Sequence, residues 1–210
     1  MSGQALLSQL RQDRAIAVIR TTKMSLGRKM AVAVAFGGMR LIEIAWNSDR
    51  AGELISQLRT ELPNCIIGTG TIFNLQQMEE AIDSGAQFLF TPHVNQALIQ
   101  AVAALGLPII PGALSPTEVV TAWESGATCV KVFPVQAMGG ANYIRSLTAP
   151  LGHIPLIPTG GVTIENAKEF LQAGAIAVAL GGELFPQKFV AMEDWEAIAK
   201  LAANLRQQLI

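Results

Sequence analysis

Two ionisable residues stand inside runs that otherwise read as buried strand. Lys131 lies in Cys-Val-Lys-Val-Phe-Pro and Glu43 in Leu-Ile-Glu-Ile-Ala-Trp, each flanked by aliphatic side chains. Successive side chains of a strand point to opposite faces. If the aliphatic neighbours face covering helices, the lysine and the glutamate face the interior. Desolvation disfavours an ammonium ion, so a lysine there has a lowered pKa and a useful fraction of neutral amine. A neutral amine is what Schiff-base formation with a carbonyl requires. A glutamate on the same surface can move protons to and from the carbinolamine. The competing reading is a buried Lys–Glu ion pair that only fills space, but such pairs contribute little stability and belong lower in the interior, which favours catalysis.

Other polar or flexible residues fall at the ends of similar runs. Arg20 ends the run 15–20, Thr71 follows the run 65–70, and Thr91-Pro92-His93 closes the run 87–92. All would face one pocket mouth, where Arg20 can hold a carboxylate or phosphate. His93 is read as a rim residue, because no carboxylate in its segment orients it. His153 precedes the seventh run and belongs to the opposite end. The last two runs finish in Pro158-Thr159-Gly160-Gly161-Val162 and Leu180-Gly181-Gly182-Glu183-Leu184. Two glycine-rich turns leading into helix N-termini can bind phosphate through backbone N–H groups.

An internal repeat sets the elements that position these residues. Pro108 to Phe133 matches Pro155 to Leu180 at an offset of 47 residues, each stretch carrying Pro-x-Ile-Pro and a later Gly-Ala before a β-rich run. A third copy starts at Cys65 and a looser one ends at Phe36 to Trp46, so four doubled units are visible. The short apolar runs 15–20, 40–45, 65–70, 87–92, 107–112, 128–134, 154–159 and 176–181 suit strands buried on both faces of a parallel sheet. Segments of helical length and spacing separate them, with Ser84-Gly85, Ser125-Gly126 and Ala173-Gly174 placed as C-caps. Strict alternation requires crossovers, and eight regular units favour closure over an open sheet. The expectation is an α/β fold, a single (β/α)8 TIM barrel over residues 1–210, with residues 1–14 forming an N-terminal helix that closes the barrel bottom.

Composition agrees with so large a core. Half the residues are apolar and only 15% are charged, against about a quarter in an average soluble domain. Fifteen basic and sixteen acidic residues, without a basic run, leave no nucleic-acid footprint. The longest nearly apolar stretches, about ten residues, fall well short of the ~20 needed to span a membrane. The N-terminal stretch does not read as a secretory signal. Cys65 and Cys129 lie in apolar segments without metal-ligand spacing and read as core thiols of a reducing, cytoplasmic compartment. A small-molecule partner and no metal or cofactor are expected. The shortage of charge suggests outer helices covered by neighbouring subunits.

With these residues placed, the chain resembles the 2-keto-3-deoxy-6-phosphogluconate (KDPG) / 4-hydroxy-2-oxoglutarate (KHG) aldolases from about Ala15 to Phe185. The resemblance rests on Ile42-Glu43-Ile44-Ala45-Trp46, Gly68-Thr69-Gly70-Thr71, Thr91-Pro92, Ile110-Pro111-Gly112, Lys131-Val132-Phe133-Pro134, Pro158-Thr159-Gly160-Gly161-Val162 and Gly181-Gly182. It implies a metal-independent class I aldolase, commonly trimeric, that splits a 2-keto-3-deoxy sugar acid into pyruvate and an aldehyde. KDPG cleavage would serve Entner–Doudoroff carbohydrate metabolism. It further implies Lys131 as Schiff-base lysine, Glu43 as proton shuttle, Thr71 and Pro92 around the pyruvyl moiety, Phe133 against the lysine, and Thr159 to Gly161 near a distal phosphate. Three positions depart from the pattern. Asn47 stands where an arginine often holds the substrate carboxylate, Glu183 where a serine often binds phosphate, and His93 where a small residue is usual. A carboxylate facing a phosphate is repulsive, so Glu183 must point away, be paired, or mark a substrate without phosphate, such as 4-hydroxy-2-oxoglutarate. More distant alternatives are a metal-dependent phosphate-binding barrel and a barrel that only binds its ligand.

Overall fold

The computed structural model describes residues 1–209, so the last residue of the expected domain lies outside the described residues. Helices and strands alternate: α1 (Gly3–Asp13), β1 (Ala15–Ile19), α2 (Met24–Phe36), β2 (Leu41–Ala45), α3 (Ala51–Glu61), β3 (Ile66–Gly70), α4 (Leu75–Asp83), β4 (Leu89–Phe90), α5 (Gln96–Ala104), β5 (Ile109–Ile110), β6 (Gly112–Ala113), α6 (Pro116–Glu124), β7 (Val130–Val132), α7 (Ala141–Leu151), β8 (Leu156–Pro158), α8 (Ala167–Gln172), β9 (Val178–Leu180), α9 (Gln187–Ala191) and α10 (Trp195–Leu209).

All strand pairs are parallel, as the intervening helices require. They form two pieces, a six-stranded sheet ordered β5-β4-β3-β2-β1-β9 and a three-stranded sheet ordered β6-β7-β8. The apolar runs predict eight unbroken strands. The fifth run is instead divided at Pro111, which has no N–H for a ladder. Its first half pairs with β4 and its second with β7. A lone bridge from Thr159 to Ala179 links the end of β8 to β9. The architecture described is therefore a curled parallel α/β sheet, with its ladder interrupted beside Pro111 and at that bridge. Several strands are shorter than the apolar runs that contain them, yet single ladder-type bonds continue beyond their ends. Gln87 N donates to Ile67 O at 2.8 Å and Thr128 N to Ile109 O at 2.9 Å.

Alternation divides the core. Ala15, Ala17 and Ile19 of β1, with Ile42 and Ile44 of β2 and Val130 and Val132 of β7, pack toward the helices. Ile16, Leu41, Phe88, Phe90, Ile110, Cys129, Ile157, Ala177 and Ala179 form a separate inner cluster. Leu6 and Leu10 of α1 are buried in that inner cluster. The same helix is tied down through Asp13, which accepts from Gln9 Nε2 and Arg40 Nη2, both at 2.6 Å. The outer helices bury stripes at the spacing that 3.6 residues per turn dictates, as in Ala51, Leu54, Ile55 and Leu58 of α3. Ser115 and Glu118 close a reciprocal capping box at the start of α6. Gly85, Gly126 and Gly174, each with φ near +100°, stand after α4, α6 and α8 at the positions predicted for C-cap glycines.

Candidate active site

β2 and β7 bring Glu43 and Lys131 to the inner face, pairing Glu43 with Val18 and Gly68, and Lys131 with Gly112 and Ile157. Both are buried, at 2% and 8% exposure. They are not an ion pair: among the described residues neither has an oppositely charged group within 4.0 Å. Glu43 Oε2 is buried with no hydrogen-bond partner among those residues. Burial pushes the Glu43 carboxyl up, against the opposing charges of Lys131 and Arg20. Burial pushes the Lys131 amine down, opposed by Glu43 and assisted by Arg20. An amine held toward its neutral form beside a carboxyl held toward its protonated form can attack a carbonyl and supply the proton that the resulting carbinolamine needs to lose water.

Aromatic rings flank the amine. Lys131 Nζ lies 4.8 Å from the centroid of Phe133 and 5.7 Å from that of Phe90. Phe90 is not conspicuous in the sequence, although its place two residues before Pro92 in the fourth apolar run gives it the same inward register. Arg20 follows β1 at the same end of the sheet, where its Nη2 donates to Thr71 Oγ1 at 3.4 Å. Thr71 reaches this position through a left-handed backbone, φ 65°. Plain alternation would turn it away, because Gly70 already occupies the inward step. Such a torsion is unusual for a β-branched residue and collects at binding sites. Pro92 is half-buried, and a Cβ on Gly112 would meet its carbonyl group at 2.7 Å, so the β4 loop and β6 lie in close contact. His93 is exposed and stacks on Phe73 at 5.7 Å between centroids. Asn47 is exposed after β2.

The two glycine-rich turns differ from expectation. Thr159 offers a buried Oγ1 without a hydrogen-bond partner among the described residues. Gly160 and Gly161 both take positive φ, at 85° and 87°. Five residues separate Gly161 from the six-residue α8, and Thr163 and Asn166 cap each other there, with Thr163 N donating to Asn166 Oδ1 at 2.7 Å. Gly181 and Gly182 start successive turns, Leu184 N to Gly181 O and Phe185 N to Gly182 O, ahead of the five-residue α9. Neither turn opens directly into a helix N-terminus, because side-chain caps and turns intervene. Glu183 is exposed and has no cation within 4.0 Å among the described residues. The residues gathered at this end are therefore Lys131, Glu43, Arg20, Thr71 and Phe133, joined by Pro92 and Thr159 on the inward register of their strands.

Comparison with known proteins identifies the family. The KDPG and KHG aldolase family matches residues 6–201. The 2-dehydro-3-deoxy-phosphogluconate aldolase of Haemophilus influenzae is 32% identical over 203 residues, covering 96% of this chain and 95% of that protein. The KHG/KDPG aldolase of Escherichia coli is 30% identical over 187 residues, covering 89% and 88%. A solved structure described as native KDPGal superposes with a TM-score of 0.84 at 30% identity, covering 92% of this chain and 93% of the other. A match of this extent, on a chain whose inner face carries Lys131 and Glu43, makes it a member of the KDPG and KHG aldolase family.

Proposed function

We propose that the chain is a class I aldolase that needs no metal and cleaves 2-keto-3-deoxy-6-phosphogluconate to pyruvate and glyceraldehyde 3-phosphate. The observation that carries this reading is the buried, unpaired Lys131, facing the same interior as Glu43. Neutral Lys131 attacks the C2 carbonyl, and protonated Glu43 gives up its proton as the carbinolamine loses water. The imine then draws electrons from the C3–C4 bond. The C4 hydroxyl loses its proton to the Glu43 carboxylate, directly or through water, and the aldehyde departs. The enamine left behind takes a proton at C3, and hydrolysis releases pyruvate and the free amine. Thr71 and Pro92 enclose the pyruvyl end, and Phe133 packs along the lysine. Arg20 takes the carboxylate-holding role that Asn47 cannot fill. Thr159, Gly160 and Gly161, with Gly181 and Gly182, receive the distal phosphate through backbone N–H groups.

Borohydride reduction in the presence of pyruvate tests the chemistry. A pyruvyl mass is expected on Lys131, and unlabelled Lys131 during turnover would overturn the assignment. The phosphate end is tested by comparing cleavage with and without the 6-phosphate, since the carboxylate of Glu183 opposes an anion there.

We further propose that the strands form a closed (β/α)8 barrel and that α1 closes its bottom as part of one domain. The β1–β9 pairing, the Thr159–Ala179 bridge and the division of one strand at Pro111 support closure. The burial of Leu6 and Leu10 among inward strand residues supports the closing role of α1. A homotrimer is proposed as the assembly, supported by outer apolar residues such as Phe36 at 87% exposure, and light scattering tests it. A place in the Entner–Doudoroff route and in the cytoplasm accords with this reading of the reaction. None of the described helices is long and apolar enough to cross a membrane.

A further inference from the structure

We propose that Gly70 is a positioning residue whose missing side chain leaves the space in which the Glu43 carboxylate rests beside β3, apart from Lys131. The register pairs Glu43 with Gly68 and Ala45 with Gly70, so Gly70 lies one inward step beyond the glutamate on the adjoining strand. A Cβ built there would meet Glu43 Cδ at 2.5 Å and Cγ at 3.1 Å, with Oε1 closer still. Gly70 has no left-handed torsion, so its backbone accepts any residue and the requirement for glycine is one of space. Gly68 makes an instructive neighbour. A Cβ there would strike the ring of Phe88, which is a packing requirement of the inner core.

The consequence for the chemistry lies in where the carboxylate would go. β3 blocks one side, and the charged groups facing Glu43 are Arg20 after β1 and Lys131 on β7. A methyl at residue 70 drives the carboxylate off β3 toward the interior and Lys131. A closer carboxylate favours the ammonium form, so less neutral amine remains at a given pH. It also intrudes on the gap that the carbinolamine needs. The inference rests on the Schiff-base reading above.

The test compares wild type, G70A, E43D, G68A and the G70A/E43D double variant by borohydride-trapped pyruvyl adduct formation and by kcat/KM across pH. G70A is expected to be folded and to form imine about 100-fold more slowly at neutral pH, the scale of an ångström-sized misplacement. The deficit should fall mainly on kcat and shrink as pH rises, because alkali restores the free amine. The shorter carboxylate of E43D withdraws from the added methyl, so the cost of G70A should be several-fold smaller in the E43D background. G68A is expected to lose stability without moving the pH profile. A G70A protein with wild-type rate and profile would overturn the proposal, as would a deficit that is equal at every pH and unrelieved by E43D. Should G70A fail to fold, the double variant decides: recovery of folding supports the steric account and continued unfolding overturns it. Absence of adduct on Lys131 in the wild type would instead remove the Schiff-base reading itself.

Discussion

Cys129 and Lys131 stand two residues apart on the inner face of one strand run, and burial acts on both in the same sense. Each is pushed toward its neutral form, the thiol upward and the amine downward. For a thiol, neutrality means inertness, since the thiolate is the nucleophile. For an amine, neutrality is activation. The lower region, where Cys129 meets Leu6, Leu10, Ile16, Leu41 and Phe88, is a closed apolar packing. The upper region keeps the same alternation but leaves Glu43 and Lys131 unpaired. In the proposed mechanism, chemistry arises from the residue type set into a common desolvated environment, one strand step higher.

Replacing Lys131 should break the comparison most severely. Lys131→Met removes the proposed nucleophile, with an expected loss on the order of 10⁴-fold or more in kcat/KM, while the melting temperature stays level or rises. Stability also carries a sign. The folded-state pKa of Lys131 lies below its unfolded value of 10.5, so the unfolded chain binds more protons between the two. The lysine's contribution therefore improves as pH rises through that window. Melting curves should show the advantage of Lys131→Met greatest at lower pH and shrinking toward pH 10.5.

Glu43→Gln keeps the shape and removes the proton transfer, for a loss of about 10²- to 10⁴-fold. Trapped imine should form correspondingly slowly. In the lower region the damage should move from rate to stability. Leu10→Ala is expected to cost about 2–5 kcal/mol in denaturant unfolding, with kcat per folded molecule little changed. The gentlest probe is a thiol reagent. Cys129 should remain unlabelled in the native protein and react once the chain unfolds, and rapid native labelling would contradict the closed packing of the lower region.

Much of this contrast is legible from residue types alone. Lys131 and Glu43 are conspicuous because charged side chains interrupt aliphatic runs, and alternation turns both inward. Arg20 and Pro92 stand out at strand ends and Thr159 in its glycine-rich turn, whereas Phe133 is marked only by the family resemblance. That rhythm cannot place Thr71, whose contact with Arg20 depends on a torsion that alternation does not contain. Nor can it separate an ion pair from two unpaired groups, which depends on the space beside Gly70. The glycine pairs do mark unusual backbone, as their residue type suggests. The starts of α8 and α9 are not legible in the same way, because the side-chain cap between Thr163 and Asn166 and the turns after Gly181 decide them. Pro111 is visible in the sequence, but its effect depends on which neighbours each half of its run joins.

The left-handed turn at Thr71 makes the length of β3 part of the site. Were the strand to run one residue further, the threonine side chain would rotate to the helical side of the sheet and its hydroxyl would leave Arg20. The boundary between scaffold and recognition is therefore set by the backbone torsions of one residue, and a change in strand length could redirect what the enzyme accepts with every strand-borne side chain left as it is.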